Sequence, residues 1–164
     1  MKVVGIVGSS GSGKTTLITE ILPLLRERGL RVSTVKHAHH GFDMDRPGKD
    51  SYLHRAAGAE EVMVVSGGRW ALLREHDGES EIELSDLLNR MTQVDLVLVE
   101  GFKRMNLPKI EVYRPCTGKP PLYPHDPDIK AVASDEVAQI DPRRFLALES
   151  PATVADFVLS ECMR

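Results

Sequence analysis

The octet "GSSGSGKT", Gly8 to Thr15, satisfies the spacing G-x-x-x-x-G-K-[ST] in full. That spacing is suited to binding phosphate. Its glycines permit turns that aim successive backbone N–H groups at phosphate oxygens, Lys14 reaches the β- and γ-phosphates, and the Thr15 hydroxyl offers a hard oxygen to magnesium. Gly11, Ser12, Gly13, Lys14 and Thr15 are therefore the candidate nucleotide-binding residues.

A magnesium-bound nucleotide also needs an acid beyond the carboxyl end of a neighbouring parallel strand, where ligands collect in open α/β sheets. The stretch "VDLVLVEG" supplies Glu100 at the end of an apolar run, followed by Gly101. Asp95, at the other end of the run, is the weaker candidate. The guanine motif N-K-x-D is absent, but "IKAVASDE" ends an apolar run at Asp135. A carboxylate there could accept from both N1–H and the 2-amino group of guanine, a donor pair that adenine lacks. A plain helix N-cap is the other reading of Asp135.

"VKHAHHGFDMDRPGKDS", residues 35–51, gathers His37, His39, His40, Asp43 and Asp45, with Arg46, Lys49 and Asp50 close behind. On a strand, His37 and His39 point to one face and His40 to the other, so a transition-metal site requires the loop to fold back. No second Cys or His cluster completes a shell. Hard cations prefer the aspartates, and Asp43 or Asp45 could hold a magnesium water or orient an attacking one. Lys36, Arg46 and Lys49 could contact phosphates. Lys14, Glu100 and one of the two aspartates, Asp43 or Asp45, are thus the catalytic candidates, and Thr15, Glu100 and the same aspartate the candidate metal ligands. Pro47 fixes one dihedral and Gly48 frees the next, which suits a loop that rearranges on binding.

The elements that must position these groups follow from hydrophobic periodicity. Val3 to Val7 reads as a strand and "KTTLITEILPLLRERG" as an amphipathic helix, in which Pro23 should bend or locally unwind the backbone. "RVSTVKH" is a second strand, completing a parallel βαβ unit. "KDSYLHRAAGA" reads as a short helix closed by Gly58, and "EVMVVSGGRWALLRE" as a hairpin turning at Gly67-Gly68. "ELSDLLNRM" is a helix; "VDLVLVEG", "KIEVY" and "IKAVASD" are strands. "RPCTGKPPLYPHDPD" is an irregular surface loop, and "SPATVADFVLSECM" a helix with Ser150 as N-cap. The expected fold is α/β, a mostly parallel sheet with flanking helices and an antiparallel hairpin. We expect residues 1–164 to form a single phosphate-loop nucleotide-binding domain, with the hairpin an insertion at about 60–76.

With 164 residues, 41% of them hydrophobic, the chain can bury one core. Its net charge of -3 offers no global reason to expect nucleic acid or an anionic membrane as partner. Cys116 and Cys162 form no CxxC pair and read as free thiols in a reducing compartment. No signal or membrane-spanning stretch is visible, so the expected location is the cytoplasm.

"GSSGSGKTTL", "VKHAHHGFDMDRPGKDSYLHRAAGAEEV", "VDLVLVEGFK" and "IKAVASD", in that order, closely resemble the MobB family, adaptor proteins of molybdopterin-guanine dinucleotide biosynthesis. The run "D-x-D-R-P-G-K-D-S" is more specific than the phosphate loop alone. The resemblance implies a phosphate-loop NTPase fold, a homodimer, GTP with Mg2+ and weak GTP hydrolysis. It also implies a MobA-type guanylyltransferase as partner, which joins a GMP unit to molybdopterin. Carried over by position, Gly11, Gly13, Lys14, Thr15 and Thr16 match the phosphate loop, Glu100 and Gly101 the strand-end motif, and Asp45, Lys49 and Asp50 the loop after the second strand. Phe102 and Lys103 follow at the same mouth. Two other readings compete: a small-molecule kinase, which normally needs an arginine-bearing lid, and a metal-handling maturation GTPase built on the histidines.

Overall fold

The computed structural model describes residues 1–38, 41–76, 82–136 and 144–163. The chain divides into two compact units, residues 1–38 with 92–164 and residues 39–91.

The first unit is built on a parallel sheet. Strand β1 (Lys2–Val7) runs into the phosphate loop and helix α1 (Lys14–Glu27), which returns the chain to β2 (Val32–Lys36). Later come β5 (Leu96–Glu100), β6 (Lys109–Tyr113), β7 (Ile129–Ser134), β8 (Arg144–Ala147) and α4 (Pro151–Phe157). The spatial order is β2-β5-β1-β6-β7-β8. Every described pairing among these strands is parallel. Strand β2 therefore pairs with β5 and not directly with β1, because β5 occupies the slot between them. This sets Glu100 opposite Ile6 on one side and Lys36 on the other.

Strands buried this deeply read as continuous apolar runs, which is why "LVLVE" and "VVGIV" carry little alternation. One sheet face packs Val4, Ile6, Leu96, Leu98, Ile110 and Val112 against Leu17, Ile21 and Leu25 of α1 and Val154, Phe157 and Val158 at the carboxy terminus. Each such side chain contributes about 1.5–3 kcal/mol on burial. These contacts also carry α1 past Pro23 without unwinding, since Ile21 and Leu25 on either side of it are fully buried. A smaller cluster of Val7, Tyr123, Ile129 and Val132 joins sheet residues to the proline-rich loop. That loop holds two single-turn helices, Pro115–Thr117 and Tyr123–His125, so it is more ordered than its composition indicates.

Strand β8 escapes the sequence reading, because "RFLA" is short and lacks turn signals of its own. Ser150 does stand at the N-cap of α4, but its side chain makes no capping bond; its backbone carbonyl accepts from the Thr153 N–H at 3.0 Å and the Thr153 hydroxyl at 2.7 Å. Beyond Phe157 the helix widens into a π-type segment, Val158–Cys162.

The second unit contains α2 (Asp50–Ala56), β3 (Glu61–Val65), β4 (Trp70–Arg74) and α3 (Leu84–Arg90). It takes in more chain than the hairpin alone. The Gly58 N–H closes α2 onto the Arg55 carbonyl at 2.9 Å, and the hairpin closes with Ser66 N–H donating to Arg69 O at 2.8 Å. Strands β3 and β4 pair antiparallel, with Met63 opposite Leu72 and Val65 opposite Trp70. Among the described residues, no helix is long and apolar enough to cross a membrane.

Candidate nucleotide site

The phosphate loop connects the end of β1 to the first turn of α1, where a helix leaves backbone N–H groups without intrahelical acceptors. Gly13 is the N-cap residue of α1, at φ 97° and ψ 16°, a left-handed conformation that glycine adopts without steric cost. Its position also brings the Arg114 guanidinium within van der Waals range of where a Cβ would sit, 3.6 Å from Nε.

Lys14 Nζ donates to Ser9 O at 2.7 Å and Gly8 O at 3.2 Å, so the lysine folds back along its own loop. Burial lowers its pKa; Glu100 opposes that shift, while Lys103 and Lys36 add to it. These are the groups around the site: three ammonium ions and one carboxylate. Thr15 Oγ1 donates to Glu100 Oε1 at 2.9 Å, and Lys36 Nζ lies 3.7 Å from the same oxygen. Register accounts for the meeting, since Glu100 ends β5 beside β1, whose chain continues into the loop bearing Thr15. A hydroxyl and a carboxylate are the hard oxygen donors that magnesium prefers, and the surrounding lysines suit phosphate. The residues present therefore fit a magnesium-bound nucleotide.

The chain immediately after Glu100 is tightly constrained. Gly101 sits at φ 96°, donates to Ile6 O at 3.1 Å, and would place a Cβ 3.0 Å from the His37 Cβ. Phe102 follows at φ 50°, rare for a side-chain-bearing residue, with its ring centroid 4.6 Å from that of His37. His37 in turn donates its N–H to Glu100 O at 2.9 Å. His37 thus packs the strand-end turn. His39 and His40 lie outside the described residues.

Asp95 stands at the opposite, amino end of β5, where it accepts from the Arg31 N–H at 2.7 Å. That hydrogen bond lowers its pKa and ties it to the entry of β2.

Asp135 follows β7. Its Oδ2 pairs with Arg114 Nη1 at 3.2 Å, and Arg114 Nε donates to Ser12 O at 3.2 Å. Gly13, Thr16, Leu17, Glu20, Arg114 and Asp135 line a cleft of about 320 Å³ beside the loop. The helix that Asp135 could cap would fall in residues 137–143, outside the described residues. Nothing in the spacing of the sequence around Arg114 reveals that it bridges two loops.

Asp45 and Lys49 belong to the second unit. Asp45 Oδ1 accepts from the Arg46 N–H and the Ser51 hydroxyl, both at 2.9 Å, and its Oδ2 lies 3.9 Å from Arg55 Nε. Asp43 accepts from the Asp45 N–H at 2.8 Å and pairs with Arg55 at 2.9 Å. Both contacts, the backbone bond first, lower the Asp43 pKa. Arg55 also pairs with Glu75 and stacks 5.6 Å over the Tyr52 ring. Lys49 is the N-cap residue of α2, its N–H donating to Arg46 O at 3.1 Å across the Pro47-Gly48 turn. Asp50 opens α2. Arg55, the organising residue of this loop, carried no signal in the sequence beyond its place on a short helix.

Comparison with known proteins adds the following. A family model described as MobB, molybdopterin guanine dinucleotide synthesis protein B, matches residues 3–135. The chain is 43% identical over 153 residues to the molybdopterin-guanine dinucleotide biosynthesis adapter protein of Escherichia coli, covering 92% of this chain and 87% of that protein. The protein of the same name from Haemophilus influenzae is 40% identical over 157 residues, covering 95% and 86%. A crystal structure of molybdopterin-guanine biosynthesis protein B superimposes with a TM-score of 0.79 at 34% identity, covering 99% of both chains.

Proposed function

The chain belongs to the MobB family, and from that premise we propose that it is a GTP-binding adapter of molybdopterin-guanine dinucleotide biosynthesis, assisting a MobA-type guanylyltransferase in attaching GMP to molybdopterin. The observation that carries the nucleotide part is the pairing of Thr15 with Glu100 at 2.9 Å directly beside Lys14.

In this reading the loop backbone from Gly11 to Thr16 cradles the phosphates. Lys14 releases the Gly8 and Ser9 carbonyls to reach them, and Lys36 and Lys103 add positive potential. Thr15 and Glu100 hold Mg2+, which when bound would neutralise phosphate charge. Gly101 keeps the backbone after Glu100 close to β1. Asp135 reads guanine. Glu100 is already engaged by Thr15 and Lys36, which suits holding a cation more than abstracting a proton; weak hydrolysis follows. Asp45 shapes its loop through Ser51 and Arg46, and Lys49 is carried exposed at the start of α2, where its ammonium suits a phosphate such as that of molybdopterin.

A second copy of the chain pairs through the hairpin. Met63, Val65, Trp70 and Leu72 share one face of that ribbon and are 61%, 73%, 65% and 41% exposed, an apolar stripe that supports association. The exposed free thiol of Cys116 fits a reducing cytoplasm.

The test is to titrate the full chain with GTP and Mg2+ by calorimetry, then add it to a guanylyltransferase acting on molybdopterin. GTP should bind and dinucleotide formation should rise, with both effects sharply reduced in Lys14→Ala. Stimulation that survives in a Lys14→Ala protein unable to bind GTP would overturn the mechanism.

A further inference from the structure

Arg114 joins the loop expected to hold the phosphates to the carboxylate expected to read the base. It leaves the end of β6, crosses to the Ser12 carbonyl through Nε, and reaches Asp135 Oδ2 through Nη1, each contact at 3.2 Å. Its guanidinium lies against Gly13 and forms part of the 320 Å³ cleft wall between Thr16 and Asp135. Guanidinium donors sit in a fixed plane, so two acceptors held at once fix the angle between them. A carboxylate has about four acceptor sites over its two oxygens; Arg114 takes one of them on Oδ2 and leaves Oδ1 open.

We propose that Arg114 is a base-specificity positioning residue: it orients the Asp135 carboxylate toward the purine edge and sets its distance from the phosphate loop. The proposal rests on the nucleotide-site reading above and deepens it. Asp135 stands on the loop after β7, and a lone exposed carboxylate there would sample several rotamers. Pairing with Arg114 selects one and ties it to the backbone that grips the phosphates. Recognition of the 2-amino group then depends on Arg114, although Arg114 itself donates nothing to the base. An arginine that merely supported the loop through Ser12 would affect all nucleotides alike.

Guanosine and inosine triphosphates differ only in the 2-amino group, so their affinity ratio isolates that contact. Calorimetry on the full chain with Mg2+ should give GTP an advantage of roughly tenfold over inosine triphosphate, the value of one hydrogen bond to a charged acceptor. Asp135→Ala should reduce the ratio to about one. Arg114→Ala should reduce it most of the way, with inosine triphosphate, which keeps N1–H, weakened by less than GTP. Arg114→Lys, which keeps the charge but cannot span both acceptors, should give an intermediate ratio and guards against a folding defect in the alanine variant. If Arg114→Ala weakens both nucleotides equally with the ratio intact, the positioning role is overturned and a loop-support role takes its place. If the unaltered protein binds neither nucleotide, the nucleotide-site reading fails. If it binds both equally, the base-reading role of Asp135 fails, and that of Arg114 with it.

Discussion

Lys14 illustrates how a residue can be predictable in kind but not in state. The motif places it at the phosphates, and the structure shows it donating instead to Ser9 and Gly8 carbonyls, with burial lowering its pKa. The sign of the consequence is definite. Anion binding requires the ammonium, and a lysine with lowered pKa loses its proton at a lower pH than an ordinary one. GTP affinity should therefore decline as pH rises toward the alkaline side, beginning below the usual lysine range, and Lys14→Ala should bind about 100-fold more weakly with a flatter profile. Calorimetric titration across pH 7 to about 10 checks it against the Lys14→Ala profile, which carries the ionisation of the guanine base alone, and identical profiles for the two proteins would contradict the assignment. Thr15 and Glu100 were readable as partners because the motif demands a strand-end acid. Arg114, Arg55 and the packing role of His37 were not, since each depends on which loops the fold brings together.

At the scale of elements, β6 departs furthest from its sequence. In "KIEVY" the charged residues would be assigned to a solvated face, yet Lys109 is 2% and Glu111 1% exposed. Lys109 Nζ donates to Lys103 O at 2.9 Å and Asp126 Oδ2 at 2.7 Å, so it anchors the loop after β5. Glu111 accepts from the Leu122 and Tyr123 N–H groups, both at 2.8 Å, and so pins the proline-rich loop. Burial raises the Glu111 pKa while those two N–H bonds oppose the shift. The folded state thus favours the neutral acid, and this group's contribution to stability is present at low pH and falls as pH rises through the raised pKa. Glu111→Gln should remove that slope, seen as a smaller loss of urea stability between pH 4 and about 7 than the unaltered protein shows. Glu111→Ala should cost roughly 2–4 kcal/mol by leaving two buried N–H groups without an acceptor. Equal slopes in the glutamine variant and its parent would remove the basis for this account.

For the molecule as a whole, the exposed face of the hairpin bears on association. A hairpin with Met63, Val65, Trp70 and Leu72 on one face has no packing reason to stay apolar in a monomer. Val65→Lys with Trp70→Glu should shift sedimentation from dimer to monomer while changing folding stability by no more than about 1 kcal/mol, because these positions are exposed in the single chain. A dimer unchanged by both charges would place the interface elsewhere. By itself the sequence determined the α/β class, the glycine-rich turn between β1 and α1, the acid at the end of β5 and the family, because each is local: a periodicity, a glycine pattern or a contiguous motif. Only the tertiary structure decided that β5 separates β2 from β1, that a buried lysine and glutamate of β6 secure two loops, and that Arg114 joins Ser12 to Asp135. Those are relations between segments distant in the chain, and strand order and burial, which no local pattern encodes, set them.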